Sequence, residues 1–359
     1  MNTPEKAPQQ LRSKVPLGFY DESYARNYIM RTLGAPYTKY KNALLAHLAQ
    51  EMKIGSVVDI GGNVSGILRM EGSLRYQLEK YGITYGAIDL TGEYFDPNSA
   101  RKLGVSEEYI YNEVNGLVAS AEDLPFPNGE VECIVCADVI EHVPEPQKAF
   151  DETARVLQKN GKAIYIIPSM YKLDLCDFDY VEEKRTSSHE SKLIIDDWST
   201  MWEKSGLEVD PVQSRPVGIA TGLSFLSWLD DEVIPERPKL DSKDSFSQKS
   251  LIHREAKRII GLHDEAIDAF ILENNFDKYL AQALSEGDIK EVMRTVHEAI
   301  RYIVSLSPED KIAIDTFFEM VRTSEYPANR VAHITNEFSR ARDPRLLLGN
   351  SVLVVLKHR

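Results

Sequence analysis

Between residues 56 and 213, short apolar runs of strand length alternate with stretches of helical spacing, and this alternation limits the fold more than any other feature. The run Ser56–Ile60 ends in glycines, and residues 67–81 follow with helical periodicity. Residues 84–90 read as a second strand with Asp89 near its end, followed by an irregular stretch to about Ala119. Val131–Ala137 reads as a buried strand, 146–158 as a helix, and 162–168 as a strand announced by Asn160-Gly161. A helix over 195–205 and a strand over 207–213 complete the series. Strands joined by helices pair in parallel and are covered on both faces. The sequence therefore predicts an α/β fold, a Rossmann-like doubly wound sheet of about seven strands.

The flanks have a different texture. Residues 1–14 read as a flexible tail without the apolar segment of a secretory signal. Residues 15–50 read as N-terminal helices forming a lid, with Tyr20, Tyr24 and Tyr28 on one face. After Val217 the strand signal stops. A Pro- and Ser-containing acidic linker over 229–250 leads into strong helical periodicity, and Ser307-Pro308-Glu309-Asp310 has the make-up of a helix start. The chain then reaches the β-rich run Ser351-Val352-Leu353-Val354-Val355-Leu356. A strand after a long helical block makes 217–348 a large helical insertion, with 51–216 and 349–359 forming one core. The insertion is expected to cap a substrate pocket or to provide an oligomerisation surface.

Composition narrows the partners. A net charge of −14 with no Lys- or Arg-rich stretch disfavours nucleic acid. No apolar run is long enough for a bilayer, so the expectation is a soluble, cytoplasmic protein without a membrane partner. Cys133 and Cys136 form a C-x-x-C, but on a strand their side chains point to opposite faces, which prevents shared metal ligation. The histidines at 253, 263, 297 and 333 show no metal-ligand spacing, so no metal is expected.

The segment Asp59-Ile60-Gly61-Gly62 places an acid and two glycines after a strand, where backbone can approach a nucleotide-like ligand. Asp89, ending the next strand, suits a ribose diol as a two-oxygen acceptor. The loop Gly61-Gly62-Asn63-Val64-Ser65-Gly66 lacks the dinucleotide spacing G-x-G-x-x-G, yet these residues alone leave a dinucleotide open. Further along come Ala121-Glu122-Asp123-Leu124-Pro125-Phe126, Asp138-Val139-Ile140-Glu141-His142-Val143, and Arg155-Val156-Leu157 before Asn160-Gly161-Lys162. In this order they resemble the class I S-adenosylmethionine-dependent methyltransferases of the ubiquinone- and menaquinone-biosynthesis type.

That resemblance implies S-adenosylmethionine as cofactor. It places Asp59, Gly61, Gly62 and Asn63 along the methionine part, Asp89 and Leu90 at the ribose, and Ser120, Ala121 and Glu122 around the adenine. Asp138 and Val139 would sit beside the methionine moiety, and Tyr20 over the cofactor. Asn63 and Ser65 stand where the family has glycines, and Ser120 where an aspartate is common. Methyl transfer needs alignment and, for a hydroxyl or ammonium acceptor, a base. His142 and His189 are the candidates, since imidazole titrates near neutrality, with Glu141 in a supporting role. The expected partner is a small-molecule acceptor methylated on oxygen or nitrogen, less often carbon, with self-association through the helical block. A methyltransferase-like binding or regulatory protein without catalysis is the alternative.

Overall fold

A computed structural model describes residues 35–62, 66–92, 96–168, 195–224, 226, 248–326 and 328–359. Its centre is an eight-stranded sheet: β1 (Ser56–Ile60), β2 (Thr84–Asp89), β3 (Gly116–Val118), β4 (Val131–Ala137), β5 (Leu157–Pro168), β6 (Leu207–Val209), β7 (Arg215–Val217) and β8 (Ser351–His358). The order is β3-β2-β1-β4-β5-β8-β6, with β7 also paired to β8. The first five strands are parallel, while β8 runs antiparallel to β5, β6 and β7. Strand order reverses between β1 and β4, so a crevice opens at their carboxyl ends, the usual ligand position in an open α/β sheet.

Helices cover both faces. α1 (Pro36–Glu51) and α2 (Leu74–Glu79) lie on one side, where Leu44, Leu45 and Leu48 join Cys133, Val135, Ile164, Ile166, Leu353 and Val355 in one apolar cluster. On the other side, Ile134, Cys136, Tyr165, Ile167 and Val354 pack with α4 (Pro146–Val156) and α5 (Ile195–Lys204) through Phe150, Trp198 and Trp202. The short α3 (Pro97–Lys102) precedes β3. Cys133 and Cys136 thus belong to opposite faces, as the two-residue period of a strand requires.

The helical insertion comprises α6 (Ile219–Ser224), α7 (Gln248–Glu273), α8 (Phe276–Ser285), α9 (Ile289–Ile303), α10 (Pro308–Thr323) and α11 (Ala328–Arg340). It shares the apolar cluster of the α4–α5 face, through Ile259, Ile260, Phe317 and Phe338 among others. α10 begins at Ser307, whose Oγ accepts the Asp310 N–H at 3.0 Å, with Pro308 in the first turn. The insertion leaves the sheet at Val217 and rejoins it at Ser351, which are register partners. Ser351 also pairs with Pro168, the last residue of β5, so both junctions lie at the carboxyl edge.

Two carboxylates fasten the insertion there. Asp268 of α7 accepts the N–H groups of Gly218 and Ile219 at 2.7 Å each and the Tyr40 hydroxyl of α1 at 2.9 Å. Asp264, one turn earlier, accepts the Thr221 N–H at 3.0 Å and bonds its hydroxyl. Together they satisfy the open N–H groups at the start of α6. Burial and the neighbouring Asp264 raise the pKa of Asp268.

Several boundaries depart from the sequence expectation. Helix α2 covers only 74–79, because the stretch before it is a loop held by long-range partners. The Asn42 amide donates to the Gly72 carbonyl at 2.6 Å, and the Arg75 guanidinium to Gly66 O and Glu113 O at 3.0 and 2.8 Å. β5 runs straight through Asn160-Gly161, which sits in a strand irregularity and not in a preceding turn. At Gly161 a Cβ would lie 2.8 Å from the Glu132 carbonyl, so close strand approach is what requires glycine. The strand expected over 207–213 covers only 207–209 (β6), and a second short strand, β7, follows at 215–217; both pair with β8. The stretch read as irregular contains α3 and the edge strand β3. No described helix is long and apolar enough to cross a membrane.

Candidate active site

The carboxyl ends of β1, β2 and β4 meet at Gly61. Its N–H donates to the Ile88 carbonyl at 2.8 Å, and Gly62 donates to the same oxygen at 3.3 Å, tying the end of β1 to β2. Gly61 has φ +76°, and a Cβ there would lie 2.4 Å from Cγ2 of Val139, which follows β4. A Cβ at Gly62 would come within 2.8 Å of both Ala87 Cβ and Tyr85 Oη. Three strand ends therefore converge on glycine backbone with no room for side chains. Asn63 lies outside the described residues, as do Tyr20, Tyr24, Tyr28 and His189.

Acidic groups line this junction. Asp59 is buried in β1, and its Oδ2 accepts the Tyr85 hydroxyl at 2.9 Å. Burial raises its pKa to about 7, against the lowering pull of the Tyr85 hydrogen bond and the Lys41 charge. Asp138, just past β4, adopts φ +55°, a left-handed conformation that aspartate tolerates better than most residues. Its N–H reaches the Ile166 carbonyl at 2.9 Å, and its carboxylate pairs with the Lys41 ammonium from α1. The Lys41 side chain is only 9% exposed. Glu141 is fully buried in the 3-10 turn Ile140–His142, and burial followed by the charge of Asp138 raises its pKa. His142 is partly exposed, with Nε2 3.8 Å from Glu141 Oε1.

Asp89 ends β2, where its Oδ1 accepts the N–H of the exposed Leu90 at 2.7 Å and its carbonyl accepts from Ala119 at 3.0 Å. The Ser120 hydroxyl accepts the Glu122 N–H at 3.1 Å, and Glu122 in turn accepts the Glu145 N–H at 2.8 Å. Ala121 packs into the apolar core. The segment is secured from behind by Arg155, whose guanidinium donates to Leu124 O at 2.9 Å and Phe126 O at 2.7 Å. The Glu152 carboxylate accepts the Leu124 N–H at 2.8 Å. The Arg155-Val156-Leu157 and Leu124-Pro125-Phe126 patterns are thus two halves of one fastening, which aims 120–122 at the sheet edge.

Of the residues singled out in the sequence, the structure gathers Asp59, Gly61, Gly62, Asp138 and Val139 at one point. Asp89, Leu90, Ser120, Ala121 and Glu122 lie along the β2–β3 side of the same edge. Sequence reasoning missed Lys41 and Tyr85. Tyr85 carries a weak signal, a hydroxyl two residues before the register partner of Asp59. Lys41 carries none, because its partner is 97 residues away.

Residues 70–165 match the methyltransferase domain family. Among similar curated proteins are tocopherol O-methyltransferase of Arabidopsis thaliana and sarcosine/dimethylglycine N-methyltransferase of Halorhodospira halochloris. The first is 28% identical over 117 residues, 33% of this chain and 31% of that protein. The second is 26% identical over 112 residues, 31% of this chain and 37% of that protein. The chain therefore spans about a third of the length of these relatives. Among solved structures, YcgJ of Bacillus subtilis is similar at 17% identity and a TM-score of 0.35, over 63% of this chain and 91% of that one. Residues 70–165 thus match a methyltransferase domain, the class that the motifs along this sheet edge resemble.

Proposed function

We propose that the protein transfers a methyl group from S-adenosylmethionine to oxygen or nitrogen of a small-molecule acceptor. The observation that carries this reading is the convergence at Gly61, a cradle any Cβ would fill, flanked by more buried carboxyls than cations. Such a site fits a cofactor with a sulfonium and an ammonium. The family match and the O- and N-methyltransferases among its relatives support the same chemistry.

In this reading Asp59, Gly61, Gly62, Asn63, Asp138 and Val139 hold the methionine end. Asp89 and Leu90 hold the ribose, and Ser120, Ala121 and Glu122 border the adenine. When bound, the cofactor supplies an activated methyl group for in-line displacement. The chain supplies alignment, exclusion of water and, at His142 or His189, a place for the acceptor's proton. The insertion, fastened at the carboxyl edge, is assigned the role of a cap over the acceptor.

Calorimetry with S-adenosylmethionine tests the reading directly, and absence of binding at millimolar cofactor would end it. Asp89→Ala is expected to weaken binding about a hundredfold, the loss of a charge-assisted pair of hydrogen bonds to the diol. Unchanged affinity would refute the ribose assignment. His142→Ala is expected to lower turnover at least tenfold while leaving cofactor affinity within about twofold. A parallel fall in both would make His142 a part of the binding site and not a base.

A further inference from the structure

The junction of β1, β2 and β4 holds three carboxyl groups and, among the described residues, one lysine, Lys41. Asp59 and Glu141 are buried, Asp138 is partly exposed, and Lys41 pairs with Asp138. Tyr85 is the hydrogen-bond donor seen on the Asp59 side chain. Beyond its own backbone N–H, neither carboxylate oxygen of Glu141 meets a donor from another described residue. A buried carboxyl whose oxygens meet no side-chain donor resists ionisation, because a charge in a poorly polarisable surrounding is costly.

Among the described residues, the other titratable groups around these carboxyls include no second lysine or arginine. Facing Glu141 are Asp138, Lys41, the partly exposed His142 and the buried Cys136 of β4. Facing Asp59 are Tyr85 and Asp89 of β2 and the same Lys41. Tyr37 of α1 stands beside Asp138 and Lys41, its hydroxyl donating to Ser351 Oγ at 2.8 Å, and Tyr165 of β5 stands beside Cys136.

Resting on the assignment of S-adenosylmethionine to this edge, we propose that loading of the cationic cofactor expels protons from the buried pair Asp59 and Glu141, so that preference for the sulfonium over its neutral thioether product grows with pH. Cofactor and product differ by one positive charge at sulfur. A nearby positive charge favours ionised carboxyls, and by linkage ionised carboxyls favour the positive charge. At low pH the protonated group offers the sulfonium little, and the two ligands bind alike. At high pH the ionised group retains the sulfonium and releases the thioether, which relieves product inhibition. Glu141 acts here through the field inside the site and touches neither ligand.

The test compares the natural protein with Glu141→Gln, an isosteric change that cannot ionise. Calorimetry from about pH 6 to about pH 9 measures the ratio of dissociation constants for S-adenosylhomocysteine and S-adenosylmethionine. Across that range the ratio is expected to rise about tenfold more in the natural protein than in the variant. The ligands' own amino groups titrate alike in both proteins and cancel from the comparison. Identical pH profiles would overturn the proposal. Should the variant fail to fold, proton release by the natural protein decides, measured near pH 7 in buffers of different ionisation enthalpy. After subtraction of the protons that each free ligand's own amino group takes up, more protons released with the sulfonium than with the thioether supports the proposal, and equal numbers overturn it. If neither ligand binds at any pH, the cofactor assignment falls and the proposal with it. If both bind but the profiles match, only the proposal falls.

Discussion

Gly61→Ala will abolish measurable binding of S-adenosylmethionine, a loss of at least about a thousandfold, while Gly82→Ala will leave binding intact. Both glycines have positive φ, +76° and +71°, so both substitutions carry the backbone cost of about 1–2 kcal/mol for an L-residue in that region. They differ in their surroundings. A Cβ at Gly82 meets nothing within 4 Å, whereas one at Gly61 lies 2.4 Å from Val139 Cγ2 and 3.3 Å from Val139 Cβ. Val139 cannot yield by rotating a flexible tail. Its branched side chain is short, and Asp138 before it is held in the left-handed region with its N–H on Ile166 O. The clash therefore pushes the end of β1 away from the end of β4, at the point where the proposed methionine site is assembled. Thermal melts and calorimetry of the two variants separate backbone strain from site geometry. Equal binding by both would show that the convergence at Gly61 does not form the cofactor site.

Asp268→Ala is the second large effect, and it falls on stability. The substitution leaves the Gly218 and Ile219 N–H groups and the Tyr40 hydroxyl without their acceptor in a buried setting. Each of the three unsatisfied groups costs about 1–3 kcal/mol, so a loss of at least about 3 kcal/mol in unfolding free energy is expected. The pKa of Asp268 lies above that of an unfolded aspartate, so its ionisation destabilises the fold. Its contribution is complete below the unfolded pKa and is lost as pH rises through the raised native one. Denaturant titrations at acid and mildly alkaline pH check both points. A change below about 1 kcal/mol for the alanine variant would mean that the insertion does not depend on this fastening.

What could be read from the sequence divides along physical lines. Val131–Ala137 was legible to the residue, because a strand buried on both faces is a continuous apolar run bounded by polar residues. The return of Ser351–His358 to the sheet was legible for the same reason. Within the stretch 67–81 only 74–79 is helix; the part before it was misread, because its apolar spacing imitates a helix while Arg75 and Asn42 hold it as a loop through partners distant in sequence. The site follows the same rule. The glycines, Asp59, Asp89 and Asp138 stand in local patterns whose spacing carries information. Lys41 reaches the site from a helix 97 residues before its partner, and nothing local marks it. The structural meaning of Arg155 was also hidden, since its partners Leu124 and Phe126 are backbone carbonyls, which leave no trace in side-chain identity.

The register partnership of Val217 with Ser351 has a consequence for how freely the protein can vary. The Asn350 N–H donates to Gly218 O at 3.0 Å, so the excursion departs and lands on neighbouring rungs of one ladder. The strands on either side of it would keep their spacing whatever length of chain were looped between them. The entropy of closing such a loop grows only with the logarithm of its length. The insertion is therefore a socket-mounted part. Its length can change without altering the pairing of β7 with β8, provided that what replaces it still covers the apolar face of α4 and α5. The sheet that presents Gly61, Asp89 and Asp138 would not have to be rebuilt.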